Sequence, residues 1–264
     1  MQTPTSPQAK RLIVANWKMN PETKKEAETL ARMSVKVGTG LKRSELVICP
    51  PFPFIGLSAY VRMPKSISLG VQDVYPERAG ARTGEVSLSM VKDMKARYVI
   101  VGHSERRAGG ETDMLVSKKA RAVIAAGMRP IVCVGETSRD GDAKYLRILR
   151  EQLLESLAGI SKNNASMLVV AYEPVWAVGA SVADDPHETA ETVLFIRKTL
   201  ADIFSERIAL TIPILYGGAV SDKNAGAFLA HAGVQGLLLG RSGRDSKQLA
   251  SIMKASELTP FSQI

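Results

Sequence analysis

Eight short apolar runs recur along the chain, and they constrain its fold more than any other feature. Each run is rich in Val, Ile or Leu, is nearly continuous rather than alternating, and most end in Gly, Pro or a polar residue. Strands that are buried on both faces of a parallel sheet have this composition. The runs lie at residues 12–16, 46–50, 67–72, 98–103, 130–134, 167–173, 212–217 and 236–240.

Helix-compatible segments separate these runs. Residues 22–37 and 145–157 carry helix formers with apolar residues at three- and four-residue spacing, and residues 186–203 begin with a proline suited to a first turn. This alternation predicts βαβ units in an α/β protein. Because no linker interrupts the 264 residues, we expect a single-domain (β/α)8 barrel over residues 11–264 after a polar tail, residues 1–10. An open doubly wound sheet is the alternative, although its glycine fingerprint is missing.

The charge of the chain does not identify a nucleic-acid-binding protein. The formal net charge is +9, and such an excess favours either nucleic acid or a small anionic substrate. The basic residues are scattered, as with Lys24, Arg32 and Lys36 in one predicted helix, without a dense run or interleaved aromatic residues. Solvated helix faces are the favoured interpretation, and we expect no nucleic-acid partner.

Other sequence features argue against membrane, export and metal functions. No apolar stretch reaches the length of about eighteen residues that a spanning helix needs, and residues 1–10 do not resemble a secretory signal. Cys49 and Cys133 are far apart, and the three histidines do not cluster with them, so no metal site is expected. Two reduced, buried thiols favour a cytoplasmic location.

Polar residues and glycines follow several strands at the end where barrel active sites are built. Taken alone, each has an ordinary interpretation, such as a surface lysine, a locally bonded histidine, a loop carboxylate or a turn. Their coincidence at one mouth predicts an active site. They are Asn16 and Lys18 after the first strand, His103 and Glu105 at the fourth, Glu173 at the sixth, Gly217 and Gly218 after the seventh, and Gly240 after the eighth.

This set of residues suits proton abstraction next to a carbonyl group. Glu173 can serve as a base once water is excluded from it. His103 can polarise the carbonyl, and Lys18 can offset the charge of an enediolate or a phosphate. Glycine-rich turns after the last two strands present backbone N–H groups to a phosphate. Neither a nucleophile elbow nor a P-loop occurs in the sequence, which disfavours serine hydrolase and nucleoside triphosphate chemistry.

Six ordered segments resemble those of the triosephosphate isomerase family. Three of them are the family's signature segments: Ala-Asn-Trp-Lys-Met-Asn at residues 15–20, Gly-His-Ser-Glu-Arg-Arg at residues 102–107, and Ala-Tyr-Glu-Pro-Val-Trp-Ala-Val-Gly at residues 171–179. Residues 133–136, 216–218 and 236–240 match further segments in the same order. The resemblance extends from about residue 12 to residue 240, and it implies the TIM-barrel fold.

The resemblance also implies an activity. The chain would interconvert dihydroxyacetone phosphate and D-glyceraldehyde 3-phosphate in glycolysis and gluconeogenesis, without a metal or an organic cofactor. Glu173 would be the base that moves a proton between C1 and C2, His103 would be the electrophile, and Asn16 and Lys18 would bind the substrate. The histidine would be neutral, and a lid would close over the site. The lid would comprise Pro174, Val175, Trp176, Ala177, Val178 and Gly179 and would run on to about Ser181.

Supporting roles follow from the same resemblance. Glu105 would lie near Lys18, Cys133 would pack beside the site, and Tyr216 would help to hold the lid shut. The phosphate would be surrounded by Gly179, Ala219, Gly240 and Arg241.

Three residues near the phosphate depart from the family's pattern. Ser181 and Arg241 stand in place of glycines, and Ala219 stands in place of a serine. The hydrogen bond lost at Ala219 is worth on the order of 0.5–1.5 kcal/mol, up to about tenfold in affinity or rate. We favour the hypothesis that Arg241 supplies a compensating contact. The alternatives are an impaired isomerase, an isomerase of another small phosphosugar, and a non-catalytic interaction protein.

Residues 72–73 and 80–85 resemble the projecting loop with which the family docks one subunit into its twin. Thr83 would then reach the active site of the neighbour. The family's aromatic residue at the tip is Arg82 here, and Asp73 takes the place of an asparagine. We therefore expect two partners, a second copy of this chain in a homodimer and a small phosphorylated triose as substrate.

Overall fold

Eight parallel strands close into a barrel in the computed structural model, which describes residues 10–59, 61–139, 143–179 and 183–261. The strands follow one another in chain order, and pairing of the last with the first closes the barrel. The predicted (β/α)8 fold is confirmed. The strands are β1 (Arg11–Asn16), β2 (Ser44–Cys49), β3 (Ile67–Val71), β4 (Tyr98–Val101), β5 (Arg129–Val134), β6 (Val169–Tyr172), β7 (Ile214–Tyr216) and β8 (Gly236–Leu239).

Helices connect the strands of the barrel. Local sequence sets where they begin: Thr23 and Glu26 form a reciprocal capping box at the first helix, and Asp185 caps the sixth, with Pro186 in its first turn. In the described part of the chain no helix is long and apolar enough to cross a membrane. The helices described are α1 (Lys24–Gly38), α2 (Leu88–Asp93), α3 (Ser104–Ala108), α4 (Asp113–Ala125), α5 (Lys144–Ser156), α6 (Pro186–Ile203), α7 (Glu206–Ala209), α8 (Ala225–His231) and α9 (Ser246–Leu258).

The core has two layers, because alternate residues of each strand point to opposite sides of the barrel wall. The larger layer joins the outward-facing strand residues to the helices. Covering on both sides explains why the strands read as continuous apolar runs. The inner layer consists of Leu12, Val14, Val47, Cys49, Tyr98, Ile100, Ile131, Cys133, Val169, Ala171, Leu215 and Leu238.

Five strands are shorter than the sequence-based prediction, and two of them, β3 and β8, each end only one residue early. β4 ends at Val101 rather than at residue 103, because Gly102 adopts a φ of 70° and turns the chain out of the sheet. β6 begins at Val169 because a 3-10 turn occupies Ala165–Met167. β7 begins after Pro213, which has no N–H to donate to the sheet. Residues 1–9 of the predicted tail lie outside the described residues.

Candidate active site

A cavity of about 480 Å³ opens at the C-terminal ends of the strands. It brings together residues that the sequence analysis selected from five different strand ends or from the loops that follow them. Cationic, imidazole, carboxylate and backbone N–H groups therefore share one space. The predicted residues that line the cavity are Asn16, Lys18, His103, Glu173, Val178, Gly179, Gly217, Gly218, Ala219, Gly240 and Arg241.

Glu173 lies at the bottom of this cavity and is 2% exposed. It continues the inward-facing row of β6 after Val169 and Ala171, so the strand itself aims the carboxylate at the barrel axis. Its Oε1 accepts from His103 Nε2 at 3.0 Å, and its Oε2 accepts from the backbone N–H of Ser104 at 3.1 Å. A buried carboxylate with two donors is held in a defined position.

His103 is the N-cap of α3, and the short helix orients its ring. The backbone N–H of Glu105 donates to Nδ1 at 3.2 Å. An Nδ1 atom that accepts a hydrogen bond carries a lone pair, so this geometry corresponds to a neutral ring with its hydrogen on Nε2.

His103 and Glu173 are electrostatically coupled. Burial acts against both charges, raising the pKa of the carboxyl group and lowering that of the imidazole. The attraction between the two groups prevails: the pKa of Glu173 lies below its ordinary value, and the pKa of His103 lies above its own. The rise at His103 therefore depends on the negative charge of Glu173.

Lys18 occupies a backbone conformation that few side chains adopt, with a φ of 54°. Two neighbours hold it there: its N–H donates to Asn16 Oδ1 at 3.0 Å, and its carbonyl accepts from Gln72 Nε2 at 2.9 Å. The ammonium group binds Glu105 Oε1 at 2.6 Å. Glu105 thus contacts the lysine side chain and, through its backbone, the histidine ring. Strain of this kind persists where the surrounding structure fixes a functional position.

The loops after β7 and β8 form the other side of the cavity. Asn224 Nδ2 donates to the carbonyl of Ala219 at 2.9 Å and fixes the first of these loops. A 3-10 turn, Arg241–Gly243, follows Gly240 in the second. The Arg241 guanidinium donates through Nη2 to the carbonyl of Gly179 at 2.8 Å. The structure thus places Arg241 against the predicted lid.

The segment from Pro174 to Gly179, predicted to form most of the lid, contains a 3-10 turn, Val175–Ala177. Trp176 Nε1 donates to Glu136 Oε1 at 2.9 Å, and the N–H of Val175 donates to the Glu136 carbonyl at 2.9 Å. Glu136 is fully buried, and burial raises its pKa. Ser181, predicted to continue the lid, lies outside the described residues.

An ion pair that the sequence analysis did not predict holds the chain directly before α6. Arg139 binds Asp184 through both terminal nitrogens, at 3.0 and 2.8 Å. The same guanidinium stacks over the Trp176 ring, 5.2 Å from its centroid. The N–H of Asp184 donates to the hydroxyl of Tyr216 at 3.2 Å. The only signal in the sequence was a pair of acidic residues directly before Pro186.

Cys133 and Tyr216 lie beneath the cavity and are fully buried. Cys133 belongs to the inner layer of the core, and burial raises the pKa of its thiol well above the ordinary value. A thiol that stays protonated is a poor nucleophile. Tyr216 stacks on Phe228 with ring centroids 3.9 Å apart. Packing therefore fixes the hydroxyl that accepts from the N–H of Asp184.

No group of three or more His, Cys, Asp or Glu side chains that could hold a metal ion occurs among the described residues.

The loop around Thr83 projects from the barrel, and residues 77–85 are exposed. The N–H of Tyr75 donates to the Val86 carbonyl at 2.9 Å and closes the base of the loop. Arg82 stacks over the Tyr75 ring at 5.5 Å. Asp73 is buried and binds Lys119 at 2.6 Å, so its charge is compensated within the same chain.

Comparisons with known proteins agree with this geometry. A family model described as triosephosphate isomerase matches residues 11–256. A triosephosphate isomerase of Moorella thermoacetica is 41% identical over 92% of this chain and 97% of its own length. Those of Chloroflexus aurantiacus and Dictyoglomus thermophilum are 40% and 34% identical, over 92% and 93% of this chain and 96% and 99% of their own lengths. The chain therefore belongs to the triosephosphate isomerase family.

Proposed function

We propose that Glu173 and His103 carry out, in this chain, the reaction of the family to which it belongs, the interconversion of dihydroxyacetone phosphate and D-glyceraldehyde 3-phosphate. Glu173 is the base and His103 the electrophile. The observation that carries the proposal is the contact of 3.0 Å between the buried Glu173 carboxylate and His103 Nε2, at the bottom of a cavity that Lys18 also lines. A base and an electrophile that act on adjacent carbon atoms must line the same small space.

The reaction needs one base and a stabilised oxyanion. Glu173 removes a proton from C1 of dihydroxyacetone phosphate, and the electron pair moves through C1–C2 onto the carbonyl oxygen at C2. His103 Nε2–H and the Lys18 ammonium stabilise the negative charge of the enediolate. A proton passes from the O1 hydroxyl to O2, with His103 Nε2 placed to relay it. The electron pair left on O1 forms the carbonyl at C1, and C2 takes up the proton held by Glu173. The glyceraldehyde 3-phosphate produced has the same atoms as the substrate, so no cofactor is required.

The neutral state of His103 follows from its surroundings during this step. The carboxylate of Glu173 is the main influence that raises the pKa of the imidazole, while burial and Lys18 lower it. Once Glu173 holds the substrate proton, the carboxylate no longer contributes to the raised pKa of His103, and the negative charge has moved to the enediolate. The N–H that Glu105 donates to Nδ1 also disfavours a second ring proton. His103 therefore stays neutral and donates through Nε2 while the oxyanion exists.

The substrate phosphate binds at the side of the cavity formed by the loops after β7 and β8. Gly179, Ala219 and Gly240 present backbone groups there, and Arg241 and Lys18 add positive charge. Asn16 positions Lys18, because Asn16 Oδ1 accepts a hydrogen bond from the backbone N–H of Lys18. Asn16 also lines the cavity beside Lys18. Trp176 and its neighbours form the lid, Cys133 packs behind the base, and Tyr216 holds the lid's far end.

The chain acts as a homodimer in the cytoplasm. The exposed loop around Thr83 has the form of a docking element, because its base is closed by a backbone hydrogen bond and its tip makes no core contact. Sedimentation at micromolar concentration is expected to give dimers, and monomers alone would contradict this assembly.

A coupled assay of triose-phosphate isomerisation tests the catalytic roles. Glu173→Gln keeps the shape of the side chain but removes the base, so kcat should fall by roughly 10²–10⁴-fold. The matched control is Glu151→Gln, since Glu151 is a glutamate of α5 whose side chain is 61% exposed; it should retain wild-type kcat. Retention of kcat within tenfold in Glu173→Gln would remove Glu173 as the base. Wild-type protein inactive on triose phosphates would contradict the whole assignment and favour a re-specialised or non-catalytic barrel.

A further inference from the structure

Arg241 joins the loop after β8 to the lid. Its Nη2 donates to the carbonyl oxygen of Gly179 at 2.8 Å, although the two residues are 62 positions apart in the chain. Near the other end of the same lid segment, Glu136 accepts hydrogen bonds from Val175 and Trp176. The loop after β5 therefore binds one end of this segment through Glu136, and the loop after β8 binds the other end through Arg241.

The same guanidinium lies where an anion is expected to bind. Arg241 lines the cavity together with Lys18 and Gly240. A guanidinium carries five N–H donors in a rigid fork, so a single side chain can bind a backbone carbonyl and a phosphate oxygen together. A glycine at this position, as the family usually has, offers no such bridge.

We propose that Arg241 is a positioning residue that couples closure of the lid to the presence of the substrate phosphate. A bound phosphate holds the guanidinium in place, and the guanidinium holds Gly179 and with it the lid. The inference rests on the proposed function, since it requires a phosphate in this cavity. It goes beyond that function because Arg241 then controls how long the lid stays shut, in addition to contributing affinity.

The enediolate intermediate provides a measure of lid closure that affinity does not affect. In an open site, O1 of the intermediate re-forms a carbonyl, the C1–C2 π electrons move to C2–C3, and the C3–O bond breaks to release inorganic phosphate. The enol that remains takes up a proton at C3 and loses its hydroxyl proton to give methylglyoxal. A closed lid suppresses side reactions of this kind. The ratio of methylglyoxal formed to triose isomerised therefore reports early lid opening.

Three variants separate the two roles of the guanidinium. Arg241→Ala removes both the charge and the bond to Gly179. Arg241→Lys keeps the charge but lacks the fork that binds two groups at once. Lys247→Ala, in the exposed first turn of α9, removes one positive charge close by in the chain and serves as the matched control.

The expected result is a split between the variants. Arg241→Ala should raise the methylglyoxal ratio roughly tenfold, as expected for loss of one charge-assisted hydrogen bond at a solvent-exposed site, and should also raise KM. Arg241→Lys should restore KM in part while its methylglyoxal ratio stays raised. Lys247→Ala should match the wild type in both. A methylglyoxal ratio unchanged in Arg241→Ala, with KM raised, would overturn the coupling and leave a phosphate contact only.

A second measurement requires no turnover and keeps this inference separate from the proposed function. Hydrogen exchange is followed at the amides of Val175, Ala177 and Val178, which donate hydrogen bonds within or next to the lid, with and without inorganic phosphate. Phosphate should slow exchange in the wild type and in Glu173→Gln but not in Arg241→Ala. Equal protection in Arg241→Ala would refute the coupling even if isomerisation is normal. Normal phosphate protection in a protein inactive on triose phosphates would refute the activity alone.

Discussion

Replacement of Asp184 tests what fixes the chain between the predicted lid and α6. The Asp184 side chain is 1% exposed and binds both terminal nitrogens of Arg139, whose own side chain is 19% exposed. It also accepts from the hydroxyl of Thr189 and from the N–H of Asp185, both at 2.9 Å. Burial alone would lower the pKa of Arg139, but its hydrogen bonds to Asp184 raise it above the ordinary value. The guanidinium of Arg139 therefore stays charged throughout the accessible pH range.

The variant Asp184→Asn keeps the side-chain shape and leaves the guanidinium facing a neutral amide. Loss of one partner of a buried ion pair costs about 3–5 kcal/mol. Arg139 is not fully buried, and it keeps Glu188 at 2.8 Å and the Trp176 ring, so we expect a smaller loss of about 2–3 kcal/mol in the free energy of unfolding. At this chain length that loss lowers Tm by about 4–12 °C. The value of kcat should fall as well, because the lid loses a fixed end.

Thermal unfolding and the coupled assay check this expectation against a matched control. Glu188→Gln removes the other carboxylate of Arg139, but the Glu188 side chain is 64% exposed, so its loss should cost less than about 1 kcal/mol. Equal Tm values for the two variants would refute the reasoning. A double-mutant cycle with Arg139→Gln locates the effect: if Asp184→Asn is as costly in that background as in the wild type, the ion pair is not its source.

Two further predictions concern the base and its position. In Glu173→Gln the carboxylate charge that raises the pKa of His103 is removed, while burial continues to lower that pKa. The imidazole pKa measured by NMR should therefore fall below its wild-type value. An unchanged or higher value would contradict the coupling. In Gly135→Ala the new methyl carbon would lie 1.7 Å from the carbonyl oxygen of Glu173, so we expect a loss of about 1–3 kcal/mol in stability together with a fall in kcat. The control is Gly226→Ala in α8, where the nearest atom to the new methyl carbon would lie at 4.0 Å. This variant should be neutral or stabilising by up to about 1 kcal/mol. Equal effects of the two alanines would refute the importance of the close approach between Gly135 and the Glu173 carbonyl.

The barrel and the approximate place of each strand in the chain were predictable because burial leaves a direct record in the sequence. Strands covered on both faces must be apolar at every position, so their runs stand out from the amphipathic helices between them. A polar residue that interrupts such a run at its end is then conspicuous. Asn16 and Glu173 were found in this way, and both line the cavity.

The anchor of the lid was not predictable, because its members come from separate loops. Arg139 and Asp184 are 45 positions apart, and charged residues in loops are most often solvated. Nothing local distinguishes an aspartate that will be buried from one that will stay in water. Only the closed barrel, which brings the loop after β5 beside the loop after β6, shows that this pair is enclosed.

His103 shows how a wrong strand boundary can conceal the reason why a residue reaches the cavity. In β4, Tyr98 and Ile100 face the inside of the barrel, while Val99 and Val101 face the helices. Had the strand continued to residue 103, as its apolar run predicted, the same alternation would have turned the imidazole outward, away from Glu173. Gly102 prevents this with a φ of 70°, a conformation that a residue with a Cβ adopts only under strain. The chain leaves the sheet there, and His103 becomes the cap of α3 with Nε2 at 3.0 Å from the carboxylate. The glycine before the histidine is therefore a requirement of the active site, because it converts an outward-facing strand position into one at the mouth of the barrel.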